Sequence, residues 1–413
     1  MSGHRRQKKY LSSLRVLSSK GFTLMEVIIV MAIFMVVIII SSQAFNKILS
    51  ISTQQTKSSE SDTQGVIGLE MFRIDLEHAG YGLPWMLSYP AEFDEAQDAL
   101  APGIDTTSFN DKYNSSSDIN KVPRAVQAAT STTDHRDYLV IKSILAGMSD
   151  TTKKWAYIDG TDSASKIKIW DATNYAADDN FAANDRVVTI DSRTGRLIGA
   201  IPPDNGASYI STTAADFSYT ITAADMTPPA AFQPKQNNDV FVVYGVSPST
   251  NLRAPYNRVD YYVKHPSSDS EMPTRCAKGT DGKPGTGILY KGILNHSDGK
   301  FFEYPLLECV ADMQVVFNVA ADGVNGVDVD QSGLTGLSAK EIRQQLKMIK
   351  IYIVTHEGGR DTGFNYANQT IMVGDENVGR KLDLKNDIVG SDDYKNYRWK
   401  TYKLVVIPRN INY

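Results

Sequence analysis

Cysteine is nearly absent from this sequence of 413 residues, which contains only Cys276 and Cys309. There is no C-x-x-C pair, so the common cysteine-based metal and redox motifs are excluded. An even and sparse cysteine content is typical of one disulfide in an oxidising compartment. We expect Cys276 and Cys309 to form that disulfide. The alternative is a pair of buried, unpaired thiols.

Sequence motifs of catalysis and of phosphate binding are also absent. The six histidines are scattered, with no H-E-x-x-H pattern, and no serine lies in a nucleophile elbow. There is no glycine-rich phosphate loop. An enzyme such as a periplasmic hydrolase on a membrane tether therefore has no residues to support it, and we expect no enzymatic activity.

Acidic residues are missing from the first 21 positions, which carry six basic residues. These are Arg5, Arg6, Lys8, Lys9, Arg15 and Lys20. The rest of the chain is acidic, because its 37 basic residues face all 47 acidic ones. An acidic body repels nucleic acid and anionic membrane surfaces, so we expect no nucleic-acid partner.

Proline is absent before Pro84, and a long apolar run follows the basic segment. Residues 22–40 are apolar except for Thr23 and Glu26. A helix of this length spans about 28 Å, close to one hydrocarbon thickness. Basic residues before such a run place the N-terminus in the cytoplasm and the remainder across the membrane. Glu26 is costly there, by about 2.5–3.5 kcal/mol, so we expect it to have a function.

The same run has the length of a signal-peptide core, and this leaves a second interpretation. Ser42, Gln43 and Ala44 resemble a signal-peptidase site, and cleavage there would release a soluble protein that begins at Phe45. Two observations favour a retained segment instead. Glu26 is unusual inside a signal core, and the helical pattern continues beyond Ala44.

The helical pattern predicts one long helix over 22–79, with 22–44 inside the membrane. Val66, Leu69, Phe72, Leu76 and Ala79 recur at steps of three and four on one face. The polar stretch 52–64 is the weak part of this prediction, and Gly65 and Gly68 soften the helix locally. Gly80, Gly82 and Pro84 are expected to end it.

After the helix we expect a loop-rich lobe over 80–136 and a β-rich head over 137–413. Strand patterns follow in series without long helices between them, which favours an antiparallel sheet and an α+β fold. A short helix over 337–346 is predicted to be capped by Ser338 and Glu341. The predicted strands are 138–145, 166–170, 186–190, 196–201, 217–222, 240–246, 259–263, 288–290, 313–319, 348–355 and 402–407.

Oxygen-bearing side chains cluster between residues 322 and 333. Asp328, Asp330 and Ser332 match the start of a calcium-loop template, but its twelfth position holds Ala339 instead of glutamate. The two interpretations are a calcium site and a solvated turn between a strand and a helix. No other cofactor is expected.

The segment from Lys20 to Val27 resembles the processing site of type IV prepilins and type II secretion pseudopilins. It has a basic leader, then Gly21, Phe22, Thr23 and Leu24, and then Glu26 before the apolar run. Segments 306–317, 346–352 and 398–410 resemble PilW-type minor pilins.

This resemblance implies a processing pathway and a set of partners. A prepilin peptidase would remove leader 1–21 by cutting between Gly21 and Phe22 and would methylate the new amine. Glu26 of one subunit would pair with the Phe22 amine of the next. The partners would be other minor pilins and the major pilin. The head would be periplasmic, beside the inner membrane, and later part of a pilus at the cell surface. The alternatives are a type II secretion tip pseudopilin and the soluble protein that begins at Phe45.

Overall fold

Helix α1 (Leu24–Glu77) is the longest element among the described residues, and the other α-helices there, α2 (Ala214–Phe217) and α3 (Ala339–Gln345), are short. The computed structural model describes residues 23–87, 93, 95–98, 100–111, 122–171, 173–200, 214–222, 226–248, 251–266, 268 and 270–411, with the backbone alone at 50, 54, 57–62 and 64. The chain forms two compact units, Met1–Thr56 and Lys57–Tyr413. Helix α1 contributes to both units, and the sequence predicted its course to within two residues at its C-terminal end.

The described residues form sixteen strands. In chain order these are β1 (Met86–Leu87), β2 (Val126–Thr130), β3 (Asp137–Ser143), β4 (Trp155–Asp159), β5 (Asp185–Asp191), β6 (Arg196–Ile198), β7 (Tyr219–Thr220), β8 (Val240–Pro248), β9 (Asn257–Lys264), β10 (Gly287–Leu294), β11 (Phe301–Val319), β12 (Val327–Val329), β13 (Leu346–Glu357), β14 (Thr370–Val373), β15 (Arg380–Asp383) and β16 (Arg398–Val406).

Two large sheets dominate the unit Lys57–Tyr413. The eight-stranded sheet has the order β16-β13-β11-β10-β9-β3-β2, with β12 paired to β11, and its pairs are antiparallel. The six-stranded sheet has the order β1-β6-β5-β8-β4, with β7 paired to β5, and its only parallel pair among the described strands is β1 with β6. Strands β14 and β15 form a separate hairpin. The predicted α+β class with mainly antiparallel sheets is confirmed.

One core joins the end of α1 to both sheets. Leu69, Phe72 and Leu76 are buried in it together with residues of the eight-stranded sheet and of β5, β6 and β8. The ring of Phe72 stacks on that of Tyr261 in β9, with centroids 3.9 Å apart. Side chains at steps of three and four thus form the apolar stripe that α1 lays on the sheet. Val66, which was predicted on this face, is exposed instead.

Alternation along the central strands assigns successive side chains to two different cores. In β11, Val315 and Phe317 face the core beneath α1, while Val316 faces a second core. In β13, Ile353 faces the first core and Val354 the second. The second core is closed by the β14–β15 hairpin and by residues 384–399. Both faces of this part of the sheet are therefore covered.

Several predicted strands are shifted, and one is wrong. The wrong prediction is the strand over 166–170. Only Ile167 of this segment is bridged, to Ile158 of β4, so the segment forms no continuous ladder. Strand β2 lies in the segment expected to be a loop-rich lobe, and it pairs with β3 across the expected boundary near residue 136. The predicted short helix is present as α3, and its predicted cap is confirmed, since Ser338 and Glu341 form the capping box.

Candidate functional site

Helix α1 begins with a capping box formed by Thr23 and Glu26. The Thr23 amide donates to Glu26 Oε2 at 3.0 Å, and the Thr23 hydroxyl donates to the same oxygen at 3.2 Å. In return the Glu26 amide donates to Thr23 Oγ1 at 3.3 Å. Two backbone donors of the first turn, which have no helical partner, are thereby satisfied. The sequence signal that could have predicted this cap is T-x-x-E, at residues 23–26.

The carboxylate of Glu26 is the only ionisable side chain between Leu24 and Asn46. Its Oε2 is engaged by Thr23, whereas Oε1 has no partner among the residues that the structure describes. The charge also lies in the first turn, where the helix dipole favours an anion. Glu26 therefore stabilises the start of its own helix and still presents an oxygen to a cation outside it.

The side chains that follow Glu26 form an apolar surface on every side of α1. The large apolar side chains from Val27 to Ile51 are exposed. The stretch Leu24–Thr53 is long and apolar enough to cross a membrane. A helix that is apolar all round needs lipid or other apolar helices around it. Ala44, the alternative cleavage position, lies inside this helix and not at its end.

The predicted cleavage residues Gly21 and Phe22 lie outside the described residues. Their pairing with Glu26 of a second subunit also involves a chain that is not present. The scissile bond and the intermolecular ion pair therefore stay predictions. What the structure adds is the geometry immediately after the bond, where Thr23 is the cap and Leu24 begins the helix.

The last turns of α1 are fixed to the head by charge pairs that the sequence analysis missed. Asp75 pairs with Lys291 of β10 through a contact of 2.5 Å between Oδ2 and Nζ, and it also accepts from the Tyr261 hydroxyl. Both members of the ion pair are nearly buried. Glu77 pairs with Arg409 at 2.6 Å, and the Arg409 amide donates to the Glu77 carbonyl at 2.9 Å. Residues far apart in sequence thus cap and hold the end of α1.

Gly68 lets α1 approach the backbone of β11. A Cβ atom at this position would lie 2.4 Å from the carbonyl oxygen of Leu306. At Gly65 the nearest atom would be Leu307 Cδ1, at 3.0 Å, which belongs to a flexible side chain. From the sequence alone, both glycines are expected to soften the helix. The structure shows that they permit close packing of the helix on the sheet.

The predicted disulfide between Cys276 and Cys309 is present, with Cα atoms 4.8 Å apart. Both residues are buried, beside Met272 and Ile288. The bond fixes the loop before β10 to the middle of β11. Cys309 has a φ of +57° and precedes a register shift in the pairing of β11 with β13. The disulfide therefore lies at an irregularity in the longest strand.

The candidate calcium residues are engaged with other partners. Asp328 accepts from Asn318 at 2.7 Å and pairs with Lys350 at 2.5 Å. Asp330 caps the short 3₁₀ turn that follows and accepts from the Ser332 amide at 3.0 Å. Calcium takes about six to eight oxygen ligands, and an ammonium beside Asp328 competes with it. Calcium binding here stays a prediction, which calorimetry with calcium and the purified head would test.

Buried histidines do not cluster with other metal-ligating groups in the described part of the chain. His296 accepts from the Arg253 amide at 3.1 Å, and its second nitrogen lies 3.0 Å from Asn257 Oδ1. Burial lowers the pKa of His296 to about 4 and that of His356 to about 3. Both rings are thus neutral members of the core at physiological pH.

Comparison with known proteins identifies one feature of the chain. The model of the prokaryotic N-terminal methylation motif matches residues 17–42. No curated protein and no solved structure matches the chain. The matched stretch contains the basic leader's end, the cap and most of the apolar run described above.

The motif implies cleavage by a prepilin peptidase and assembly with other pilins, and the apolar helix is consistent with membrane anchoring. The chain therefore carries the N-terminus of a type IV prepilin-like protein, and this indicates a pilin-like subunit of a pilus or pseudopilus.

Proposed function

We propose that the chain is a minor pilin of the type IV pilus, of the PilW type. In this proposal a prepilin peptidase cuts between Gly21 and Phe22 and methylates the new amine. Before assembly, the subunit is anchored in the inner membrane with its head in the periplasm. It then enters a filament through its N-terminal helix and helps to prime assembly with other minor pilins and the major pilin.

The observation that carries the proposal is the position of Glu26. It is a single carboxylate at the start of an otherwise apolar helix, inside the methylation motif at residues 17–42. A charge at the edge of the hydrocarbon is costly unless it is paired. The uncovered Oε1 faces no described partner, so a cation from a neighbouring subunit has an oxygen available.

The mature N-terminus supplies that cation. Cleavage before Phe22 creates an ammonium close to the first turn of the helix, where the positive end of the dipole disfavours it. Pairing with Glu26 of another subunit would neutralise both groups and fix the axial register of two packed helices. The apolar side chains after Glu26 would supply the contact area.

The continuity of α1 supports a retained segment over cleavage after Ala44. The helix extends from Leu24 to Glu77, and residues on both sides of Ala44 belong to it. Removal of residues up to Ala44 would also discard the capping box. The secreted soluble binding protein is therefore the weaker alternative.

The first experiment determines the mature N-terminus. Mass spectrometry of the chain purified from membranes should find N-methylated Phe22 as its first residue. A chain that begins at Phe45 would exclude the pilin proposal. As a control, Gly21→Ala should leave the leader attached, because the proposed cleavage depends on the residue before the bond.

A second experiment separates the pilus from its runner-up, a type II secretion tip pseudopilin. We expect the mature chain in filaments sheared from the cell surface, at a low ratio to the major pilin. Its absence from sheared filaments, together with loss of protein secretion in a deletion strain, would favour the pseudopilin. The proposed role is structural, with no catalytic step.

A further inference from the structure

A fully buried lysine in strand β3 of the eight-stranded sheet lies between two carboxylates. Lys142 Nζ is 2.9 Å from Glu95 Oε1 and is in direct contact with Asp111 Oδ2. The Phe109 carbonyl accepts from the same nitrogen at 2.8 Å, and the ring of Tyr256 lies 5.4 Å from it. Lys142 and Glu95 have no exposed side-chain surface, and Asp111 has almost none.

The surrounding charges are balanced. The cluster contains three cations and three carboxylates, namely Lys142, Arg124, Arg258, Glu95, Asp111 and Asp260. Burial of charges is costly even when they are paired, because water no longer solvates them. A reaction that removed one cation and one anion would lower that cost and leave the cluster neutral.

We propose that Lys142 and Asp111 condense to an intramolecular isopeptide bond, between Lys142 Nζ and Asp111 Cγ, with Glu95 as the proton carrier. The reactants are already in contact inside the fold, so no translational entropy has to be lost at the moment of reaction. No enzyme, cofactor or oxidant is needed.

The reaction balances with water as its only other product. The Lys142 ammonium first gives one proton to the Asp111 carboxylate, and this leaves a neutral amine beside a neutral acid. The amine attacks Cγ, and a C–N bond forms. Glu95 takes a second proton from the nitrogen and returns it to the departing hydroxyl, and the C–O bond breaks. Glu95 ends as it began, and one water leaves.

Three further groups are placed to assist these steps. The Nε of Arg124 donates to Asp111 Oδ1 at 2.8 Å, and that oxygen becomes negative when the amine attacks. The backbone amide of Asp111 donates to Glu95 Oε1 at 2.7 Å, as does the Tyr256 hydroxyl. Glu95 is thereby held against the nucleophile and beside the backbone of Asp111, the residue that the nucleophile attacks.

The bond would join two separate parts of the unit Lys57–Tyr413. Lys142 belongs to β3, and Asp111 lies 31 residues earlier, in a segment without long regular elements. That segment reaches the sheet through the charged cluster, where Asn110 also accepts from Arg258 at 2.8 Å. A covalent link at this point would hold it against pulling forces that break ion pairs.

A second buried pair provides an internal comparison. Lys291 and Asp75 are also in contact and nearly buried, but no second carboxylate pairs with Lys291 among the described residues. Without a proton carrier we expect this pair to remain ionic. The same purified protein therefore contains the reactive arrangement and its control.

The test is peptide mapping by mass spectrometry of the full chain purified in detergent. We expect a cross-linked peptide that joins Asp111 to Lys142, lighter than its two parts by one water, with no tryptic cleavage after Lys142. Linear peptides cleaved after Lys142 would overturn the proposal, as would a water loss located at any other aspartate.

Two variants test the roles of the residues. Glu95→Gln keeps the shape of the side chain but cannot carry the proton, so we expect linear peptides; a complete cross-link in this variant would exclude the role of Glu95. Lys291→Arg is the matched control, in which the cross-link should persist. If Glu95→Gln does not fold, the map of the unaltered chain still decides whether the bond exists.

Discussion

At the residue scale, Glu26 has two tasks that one carboxylate can perform together. One oxygen completes the cap of α1 with Thr23. The other is proposed to receive the amine of a neighbouring subunit. Replacement by alanine removes both contributions, so an alanine variant alone cannot distinguish capping from pairing.

Glu26→Gln separates the two tasks. Glutamine can serve at the third position of a capping box, but it carries no charge. We expect normal cleavage and a stable chain, with incorporation into filaments reduced as strongly as in Glu26→Ala. Quantitative blotting of sheared filaments against the membrane fraction measures this. Normal incorporation of Glu26→Gln together with loss in Glu26→Ala would show that capping, not charge pairing, is what assembly requires.

Asp137 is a second residue whose behaviour depends on its surroundings. Its Oδ2 accepts from the Val315 amide at 2.6 Å, and its Oδ1 accepts from the Thr130 hydroxyl at 2.8 Å. Burial raises the pKa of Asp137 to about 8 despite these hydrogen bonds. The folded protein therefore holds a proton at neutral pH that the unfolded chain has released.

This difference predicts a pH-dependent stability. The contribution of Asp137 is full below its unfolded pKa of about 4 and declines as the pH rises to about 8, by about 1.4 kcal/mol per unit at most. Near pH 6.5 the two buried histidines add an opposing slope, because they are partly protonated in the unfolded chain and neutral in the folded protein. This slope is common to the unaltered chain and to an Asp137→Asn variant, so it cancels when the two are compared between pH 6.5 and 8. We expect Asp137→Asn to flatten the decline over this interval in urea unfolding of the purified chain. An unchanged slope would contradict the raised pKa.

At the scale of elements, the contact between α1 and β11 depends on a missing side chain. Glycine is normally unfavourable inside a helix by about 1 kcal/mol relative to alanine. At Gly68 this cost is outweighed, because any Cβ would meet the Leu306 carbonyl. At this position, helix propensity alone would predict that alanine stabilises the protein, which is the wrong sign for the change in stability that we expect.

Gly68→Ala should therefore destabilise the head, by roughly 1–3 kcal/mol, since the helix must move away from the strand. Gly65→Ala is the matched control three residues earlier, where the nearest obstacle is the end of the Leu307 side chain. We expect a smaller change there. Chemical denaturation of both variants measures the difference, and equal effects would show that backbone approach is not the reason for Gly68.

The sequence was informative where one period dominated an element. The apolar run of α1, the cap of α3 and most strands of the eight-stranded sheet have clear patterns, and the structure confirms them. Strand β11 was predicted only in its second half, because Pro305 and the irregular backbone at Cys309 interrupt the alternation. Strand β2 was missed because a short strand at a sheet edge needs only weak alternation.

The candidate site was predictable only in part, for a related reason. Glu26 and the disulfide follow from local composition and from the expected compartment. The pairs Asp75–Lys291 and Glu77–Arg409 join residues more than 200 positions apart. Such pairs depend on the order of the strands in the sheet, and no local sequence pattern predicts that order.

At the scale of the whole molecule, the disulfide links the loop before β10 to the longest strand. Its two cysteines are 33 residues apart. A loop of that length, closed in the unfolded chain, corresponds to roughly 3–4 kcal/mol of stability. Replacement of both Cys276 and Cys309 by alanine should lower the free energy of unfolding of the head by this amount, and urea denaturation measures the change.

A useful control for the disulfide is reduction of the unaltered protein under the same conditions. The reduced protein and the double variant should unfold at similar urea concentrations, because both lack the covalent loop. A double variant as stable as the oxidised protein would show that the bond contributes little to folding.

The contact of Arg409 with the end of α1 has a consequence for the order of events in biogenesis. Helix α1 is synthesised well before Arg409, the residue that caps its last turn. The apolar stretch Leu24–Thr53 is therefore synthesised while Glu77, at the other end of the helix, does not yet have Arg409 as a partner. The ion pair between Glu77 and Arg409 can therefore form only after strand β16 has been synthesised, whereas the contacts of Asp75 with Lys291 and Tyr261 can form earlier.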